Sequence, residues 1–246
     1  MNLCAGVGFV NRLLCTTALL DAMVRLYVSV LLVGLLGGGA APVIAQDDPA
    51  ISVARVQYQG GGDWYSDEES LVELLAFVRE QTMLDVGTEE DVVELTSDKL
   101  FNYSYLYLTG HGNVTFSAEE AQRLRRYLQR GGFLHIDDNY GLDEYIREEL
   151  QKVFPEKELV EVPYDHPLYT IRYDFSEGPP KIHEHDGEAA QGYGIFDDNG
   201  RLMVFYTHET DLGDGWEPAS VHNNSPEKRR AALRMGTNIL TYAMTH

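Results

Sequence analysis

Two short apolar runs flank one amphipathic stretch near the middle of the chain. The first run, residues 105–108, ends in Thr-Gly-His-Gly, and the second, residues 133–136, ends in two aspartates. Between them, Ser117 and Glu120 have the spacing of a helix capping box. The apolar positions after this box recur at helical spacing: Ala121, Leu124, Tyr127 and Leu128. The pattern predicts strand, helix and strand, and the usual right-handed crossover makes the two strands parallel.

Alternation and helical spacing predict further elements on both sides of this unit. In chain order they are a strand over 51–59, a helix carrying Leu71, Leu74, Leu75 and Val78, a short strand over 92–95, a helix over 142–153, a strand over 159–162, a hairpin of 193–196 and 202–206, and a last helix capped by Ser225. Residues 207–217 are predicted as a loop. Strands alternating with helices predict one α/β domain over 53–246, after a linker over 46–52.

The candidate site follows from the rule that ligands bind beyond the carboxyl ends of parallel strands. Ten acidic and imidazole side chains are predicted past strand ends: Asp63, His111, Asp137, Asp138, His166, His183, His185, His208, Asp211 and Asp214. Four aromatic residues are predicted in the same loops: Trp64, Tyr65, Tyr140 and Trp216. Flat rings beside carboxylates suit a sugar or another small polar ligand. Closure of the sheet edge by these rings is an equally good interpretation.

A divalent metal site is one hypothesis for these residues. Imidazoles and carboxylates bind Zn²⁺ and Mn²⁺, and the sequence His183-x-His185 can supply two ligands from one loop. Taken singly, these histidines have favoured structural interpretations. His111 caps a loop, His166 lies in a turn before proline, and His183 and His185 lie in solvent. Five histidines past strand ends favour the metal hypothesis only as a group, and no His-Glu-x-x-His motif supports it.

Asp137 and Asp138 are candidates for catalysis together with His111. Adjacent residues of a strand face opposite sides of the sheet, so only one aspartate lines the edge unless the chain turns at Asn139 and Gly141. One of the two is expected to orient His111, as carboxylates do for catalytic or metal-bound imidazoles.

Three glycines, residues 60–62, join the first strand to the first helix, an arrangement that can bind anions. Their spacing matches neither the P-loop nor the dinucleotide fingerprint. A tight turn is therefore favoured, and no nucleotide or flavin cofactor is predicted.

Charge excludes one class of partner. The chain has 246 residues and a formal net charge of −20, from 39 acidic and 19 basic residues. Without a basic stripe it is not expected to bind nucleic acid. The acidity fits an ordinary solvated surface and an adaptation to high salt equally well.

The amino-terminal segment, residues 1–45, predicts a signal peptide if translation starts at Met23. Arg25 precedes apolar residues 26–36, and Val-Ile-Ala at 43–45 is a cleavage pattern. We therefore expect export to the periplasm or medium, with cleavage near Ala45. The alternative is an uncleaved anchor over residues 24–44, and only then is a membrane expected as a partner. Cys4 and Cys15 precede Met23, so the exported part contains neither a disulfide nor a thiol nucleophile.

Several separated motifs resemble one family, the domain of unknown function 4159. In order they are GGGDWYSD, YLTGHG, FSAEE, QRGGFLHIDD, DHPLY, GRLMVFYTHETDLGDGWE and RMGTNILTYAMTH. The resemblance covers about residues 53–246. It implies a flavodoxin-like three-layer sandwich similar to the class I glutamine amidotransferases, with a mostly parallel sheet, helices on both faces and a carboxyl-terminal hairpin plus helix. It implies no established activity.

The chain departs from the amidotransferases at the nucleophile. Those enzymes place a cysteine in a Gly-x-Cys-x-Gly turn after a central strand, whereas here the turn is Asp137-Asp138-Asn139-Tyr140-Gly141. Thiol chemistry is excluded, and an aspartyl nucleophile is a disfavoured alternative.

Three hypotheses follow. The first is an exported protein that binds a small polar ligand, such as a glycan, or a partner protein at the edge where the parallel strands end. The second is a metal-assisted hydrolase that uses His111 and the His183/His185 loop around an ion, with Asp137 or Asp138 as base. The third is a component of a membrane-associated assembly, which requires the uncleaved anchor.

Overall fold

A computed structural model describes residues 51–185 and 187–246 of the chain. The predicted signal peptide, the anchor alternative and most of the linker lie outside these residues and stay predictions. Among the described residues, no helix is both long and apolar enough to cross a membrane.

Seven strands in the described part of the chain form one sheet: β1 (Val53–Gln57), β2 (Asp91–Glu94), β3 (Tyr105–Gly110), β4 (Phe133–Asp138), β5 (Val160–Glu161), β6 (Gln191–Phe196) and β7 (Leu202–His208). Their order is β2-β1-β3-β4-β7-β6-β5. The first four strands and β7 are parallel, while β6 pairs antiparallel with β7 and β5. This mostly parallel sheet confirms the predicted α/β fold class, including the hairpin.

The α-helices of the same residues cover both faces of the sheet: α1 (Ser70–Gln81), α2 (Ala118–Gln129), α3 (Asp143–Val153), α4 (Leu212–Trp216), α5 (Ala219–His222) and α6 (Pro226–Thr245). Helices α2 and α3 pack on one face, over Leu106, Leu134 and Ile136. On the other face, α1, α4 and α6 contact one another and cover Tyr105, Tyr107 and Phe205. The result is three layers, as expected.

The predicted helix caps are confirmed. Ser117 Oγ accepts a hydrogen bond from Glu120 N, and Glu120 Oε2 accepts one from Ser117 N at 2.7 Å, which together form the capping box of α2. Ser225 caps α6 by accepting from Lys228 N, with Pro226 at the first helical position. Both caps satisfy backbone donors that the first helical turn leaves free.

Helix α4 replaces part of the predicted loop over 207–217. Its two glycines disfavour a helix by propensity, so packing must decide its conformation. Trp216 provides that packing, because its ring is fully buried and its indole N–H donates to Ala232 O at 2.9 Å. The expectation that Trp216 is an aromatic residue in an edge loop is therefore wrong.

His166 also lies away from its expected position. Its ring contacts Phe196 and Tyr242, with centroids 5.8 Å and 5.1 Å away. Phe196 pairs with Leu202, the first residue of β7, so His166 lies near the edge where the parallel strands begin. There His166 Nδ1 accepts a hydrogen bond from Leu168 N at the start of a 3₁₀ turn, Pro167–Tyr169. A turn before proline, the structural interpretation, is what the chain forms.

Candidate functional site

The parallel strands β1, β3, β4 and β7 all end on one side of the sheet, which we call the carboxyl edge. Most of the predicted polar residues lie there, but in separate groups. Seven side chains form the largest group, which we call the imidazole–carboxylate cluster: Asp67, His183, His185, Asp211, Asp214, Glu217 and His222.

Asp67 is positioned by a buried arginine of strand β1. The Arg55 guanidinium donates to Ser66 O at 2.5 Å and to Asp67 O at 3.0 Å, and its Nε lies 3.2 Å from Glu90 Oε1. These bonds fix the loop that precedes α1 and satisfy a charged group that is 2% exposed. The Asp67 carboxylate in turn accepts a hydrogen bond from Asn139 Nδ2 at 2.6 Å.

Asp214 lies on the short helix α4, which Asp137 of strand β4 anchors. The Asp137 carboxylate accepts hydrogen bonds from Thr207 Oγ1 at 2.6 Å, Thr210 Oγ1 at 2.9 Å and Gly213 N at 2.7 Å. Asp137 is fully buried, so its contribution is to hold α4 and the loop before it against strand β4.

His183 approaches Asp214 with one nitrogen and Asn224 with the other. Its Nδ1 lies 2.7 Å from Asp214 Oδ2, and its Nε2 lies 3.1 Å from Asn224 Oδ1. The Asn224 amide orientation follows from its Nδ2, which donates to Asp214 O at 3.0 Å. With Oδ1 as the acceptor, Nε2 carries the proton of neutral His183, and Nδ1 presents a lone pair to Asp214.

His222 and Glu217 complete the other side of the cluster. His222 Nε2 lies 2.7 Å from Glu217 Oε2 and 3.4 Å from Asp214 Oδ1. The second Glu217 oxygen accepts from Glu69 N, which begins helix α1, at 3.3 Å. The ligand atoms of His183, Asp214 and His222 all lie within 4.8 Å of one another, as do those of Asp67, Glu217 and His222.

His185 forms a pair with Asp211. Its Nε2 is in hydrogen-bond contact with Asp211 Oδ2, which also lies 3.5 Å from His183 Nδ1. The Asp211 side chain is 1% exposed, and its Oδ1 has no hydrogen-bond partner among the described residues. The Tyr140 ring stacks on His185, with centroids 4.9 Å apart.

Burial disfavours the charged forms of the ionisable groups in the cluster. Burial, followed by the charges of Asp137 and Asp214, raises the pKa of Asp211 to about 9. Burial and the mutual hydrogen bond with Asp214 raise the pKa of Asp67, and burial raises that of Asp214 as well. Burial lowers the pKa of His183. Carboxylates held at this density must bind protons or a cation.

Left-handed backbone conformations also gather here. The non-glycine residues with positive φ in the described ranges are Asp67, Tyr140, Glu209, Asp211 and Asn223. Two of them belong to the cluster and the others adjoin it in sequence or in space. Such conformations cost free energy, most of all for a tyrosine at φ 75, and are concentrated at functional sites in proteins.

The two adjacent aspartates serve opposite faces of the sheet, as their alternation predicts. Asp137 faces α4, whereas Asp138 accepts from Leu142 N at 3.1 Å and from the Tyr206 hydroxyl at 3.1 Å on the α3 side. The chain turns after them through positive φ angles at Tyr140 and Gly141. Neither aspartate orients His111, contrary to expectation, because both are committed to bonds within the fold.

His208 lies beside Asp138 but outside the imidazole–carboxylate cluster. Its Nε2 is 3.8 Å from Asp138 Oδ2 and 3.7 Å from Asp143 Oδ1. The Tyr206 hydroxyl donates to both carboxylates, and Arg147 Nε lies 2.7 Å from Asp143 Oδ1. These donors and His208 surround the two carboxylates in a second, smaller group on the α3 face, and the ligand atoms of Asp138, Asp143 and His208 also lie within 4.8 Å of one another.

His111 is oriented by Asp63 instead. Asp63 Oδ1 accepts from His111 N at 2.5 Å, and Asp63 Oδ2 lies 3.1 Å from His111 Nδ1. The pair joins the glycine loop to the end of β3, and the His111 ring bonds to a carboxylate rather than capping backbone groups of the loop that follows it. Trp64 and Tyr65 follow in the same loop, with their rings edge to face 5.6 Å apart.

Sequence reasoning missed three members of the cluster. Asp67 follows the glycine loop after β1, so its position past a strand end was a usable signal. Glu217 and His222 had no such signal, because α4 and α5 intervene between the end of β7 and their positions.

Comparison with protein families finds a match along most of the chain. A family model described as "Domain of unknown function (DUF4159)" matches residues 52–244. No curated protein matches the chain. The narrower likeness to the amidotransferases stays a prediction.

Proposed function

Since the chain belongs to the DUF4159 family, whose description names no activity, we propose a function from its own site: metal-assisted hydrolysis at the carboxyl edge. A divalent transition metal, Zn²⁺ or Mn²⁺, binds in the imidazole–carboxylate cluster with Asp214 as the central ligand. The substrate is a polar molecule with an ester or amide bond, glycan derivatives included.

One observation carries this proposal. The His183 Nδ1 lone pair and the Asp214 Oδ2 atom face each other at 2.7 Å, with the proton of neutral His183 committed to Asn224. Two electron-pair donors at this distance repel unless a proton or a cation lies between them. An imidazole whose other nitrogen donates to a neighbouring oxygen is the usual form of a metal-bound histidine.

The types of ligand atom in the cluster and their exposure to solvent also fit a catalytic metal. Imidazole nitrogen and carboxylate oxygen suit Zn²⁺ and Mn²⁺, and bonds of roughly 2 Å separate tetrahedral ligand atoms by about 3.3 Å. His183 and His222 are 27% and 28% exposed, so solvent reaches the metal-binding side of the cluster. A bound ion would supply Lewis-acid polarisation of the substrate carbonyl and activation of a water molecule.

His185 is the proposed acid–base residue, replacing Asp137 and Asp138 in that role. Asp211 orients its imidazole, as carboxylates do for catalytic histidines. His185 accepts the proton of the attacking water as the carbon–oxygen bond forms. It then returns this proton to the leaving alkoxide or amine as the ester or amide bond breaks.

The test combines metal content with turnover. Elemental mass spectrometry of the purified full chain should find at least one Zn or Mn ion per chain, and His183→Ala and His222→Ala should each lose most of it. His166→Ala, a half-buried histidine at the other edge, is the matched control and should keep it. A metal-free chain, or equal metal in all three variants, contradicts the proposal.

Catalysis is tested separately on metal-loaded protein with a panel of chromogenic esters and amides. His185→Gln should retain the metal but lower turnover by roughly 100-fold or more. If turnover survives this change, His185 is not the acid–base group. If wild-type protein that holds metal turns over no substrate of the panel, binding of a polar ligand without turnover becomes the favoured function.

The second candidate is a protein that binds a polar ligand without turnover. Exposed rings favour it, because Tyr65 is 64% and Tyr140 is 50% exposed beside an acidic site. Tyr140→Asn tolerates the left-handed backbone and should weaken binding of a small glycan in titration calorimetry, with metal content unchanged.

Export remains part of the proposal, with or without a membrane anchor. Amino-terminal sequencing of the chain from its native host should begin at Gln46 if the signal peptide is cleaved. A retained segment 24–44 would favour the membrane-associated assembly.

A further inference from the structure

We propose that the imidazole–carboxylate cluster binds two divalent metal ions bridged by Asp214. This inference rests on the proposed function and specifies its metal centre. One ion is held on the side of His183 and Asp211, and the other on the side of His222 and Glu217.

Asp214 has the geometry of a bridging carboxylate. Its Oδ2 lies 2.7 Å from His183 Nδ1, and its Oδ1 lies 3.4 Å from His222 Nε2. Each oxygen therefore faces a different imidazole, and the ring centroids of those imidazoles are 5.6 Å apart. A carboxylate that binds one ion through each oxygen requires this arrangement.

The donors divide into two sets around that bridge. Asp67, Glu217 and His222 have ligand atoms within 4.8 Å of one another, and so do His183, Asp214 and His222. The two sets share only His222, whose Nε2 can bind one ion. If His222 serves the Glu217 side, His183 remains for the other ion, together with Asp214 Oδ2 and with Asp211, whose Oδ2 is 3.5 Å from His183 Nδ1.

The charge of the cluster matches two divalent ions. Four carboxylates, Asp67, Asp211, Asp214 and Glu217, carry a formal charge of about −4 when ionised. The basic side chains within ion-pair distance of these carboxylates, among residues 51–185 and 187–246, are histidines, which are charged only when protonated, and no lysine or arginine side chain pairs with any of them. One divalent ion balances half of this charge, and the other half must be balanced by protons or by a second ion.

Asp211 gives an independent indication that the cluster binds a cation. Its side chain is 1% exposed and its Oδ1 has no hydrogen-bond partner in the described part of the chain. A buried carboxylate oxygen without a donor is rare, because its desolvation is uncompensated. The Asp211 carboxyl is directed into the cluster, since Oδ2 contacts both His183 and His185.

Metal stoichiometry tests the inference. The full chain is stripped with chelator, loaded with excess Mn²⁺, desalted and measured for manganese per chain. We expect two ions in the wild type and one in each of Glu217→Gln and Asp211→Asn, which remove one donor from opposite sides. Glu68→Gln removes an exposed carboxylate beside the cluster and should keep both ions. Asn suits position 211 because it tolerates the left-handed backbone there.

Electron paramagnetic resonance gives a second readout that does not depend on protein concentration. Two Mn²⁺ ions about 3.5–4 Å apart, the usual separation in two-metal sites, should give an exchange-coupled spectrum. Each single-donor variant should instead give the six-line spectrum of an isolated ion.

The outcomes separate this inference from the proposed function. One ion per wild-type chain, lost in both His183→Ala and His222→Ala and uncoupled in its spectrum, overturns the two-ion centre and leaves the hydrolase proposal standing. No bound ion overturns both.

Discussion

Asp137 is a fully buried carboxyl that accepts three hydrogen bonds, yet burial outweighs those bonds and raises its pKa to about 7. In the unfolded chain its pKa returns to the ordinary value near 4. The folded state therefore holds a proton at Asp137 between about pH 4 and 7 that the unfolded state releases. The stabilisation from this group is complete below pH 4 and is lost as the pH rises through 7.

Replacement of Asp137 by Asn should remove that pH dependence. The slope of the unfolding free energy against pH, between 4 and 7, should become less negative by up to about 1.4 kcal/mol per pH unit. Urea unfolding in the presence of chelator, at four pH values, measures this slope. Equal slopes for wild type and Asp137→Asn would contradict the assignment.

His111 carries a different expectation from the one its motif suggested. The His111–Asp63 pair lies outside the imidazole–carboxylate cluster and is exposed. His111→Ala should therefore keep full metal content and lose less than about 1 kcal/mol of stability. Metal analysis and urea unfolding of this variant, compared with His183→Ala, test the distinction. Metal loss in His111→Ala would place the site elsewhere on the edge.

Single residues of the cluster were predictable where they followed a strand directly. Asp211, Asp214, His183 and His185 were candidates because they follow the hairpin or a proline break. His222 was not a candidate, because it is the last residue of the short helix α5, and neither a periodic pattern nor a motif marks that position. Pairing partners were the least predictable feature, since the aspartate that holds His111 is 48 residues away.

At the scale of elements, the approach of α4 to the strand ends positions Asp214. A Cβ at Gly213 would meet Asp67 Oδ2 and would lie 2.7 Å from the Tyr107 hydroxyl. Glycine is therefore required at position 213 because helix α4 approaches the Asp67 side chain closely. The backbone conformation of Gly213 does not require glycine.

Gly213→Ala should lower both stability and metal affinity, because α4 must move away from Asp67. We expect a loss of roughly 1–3 kcal/mol, the usual effect of overpacking, and at least a tenfold weaker affinity for Zn²⁺. Gly194→Ala is the control, since its Cβ would meet Leu202 and Val162 in the sheet, away from α4. Urea unfolding and competitive zinc titration measure the two effects. Unchanged zinc affinity in Gly213→Ala would show that the position of α4 does not limit metal binding.

Elements with a continuous pattern were predicted well. The capping box of α2, the proline start of α6 and the β6–β7 hairpin formed where capping chemistry and alternation placed them. Helix α4 was not predicted, because its conformation depends on the buried Trp216 and on Asp137, both contacts distant in sequence. Local sequence patterns also could not predict that residues 163–169 run to the opposite edge of the sheet.

At the scale of the whole molecule, the acidic surface opposes folding. A formal net charge of −20 produces repulsion that salt screens with a Debye length of about 10 Å at 0.1 M and about 3 Å at 1 M. Raising KCl from 0.1 to 1 M should therefore increase the urea midpoint of unfolding. Sucrose of equal osmolality is the control for general solute exclusion. A midpoint that is flat or falls with salt would exclude high-salt adaptation.

The alternation of strands and helices predicted an α/β domain, and the family resemblance implied its three layers. The convergence of the cluster did not follow, because its members come from segments as distant as residues 67 and 222.

The adjacent aspartates at the end of β4 have a consequence for how the sheet assembles. A slip of one residue in the pairing of β4 would exchange the faces of Asp137 and Asp138. Each carboxyl would then enter the other layer without its own hydrogen-bond donors, at a cost of about 1–3 kcal/mol or more for each group. A sheet with β4 out of register is therefore less stable than the native sheet, so this strand end favours the native register.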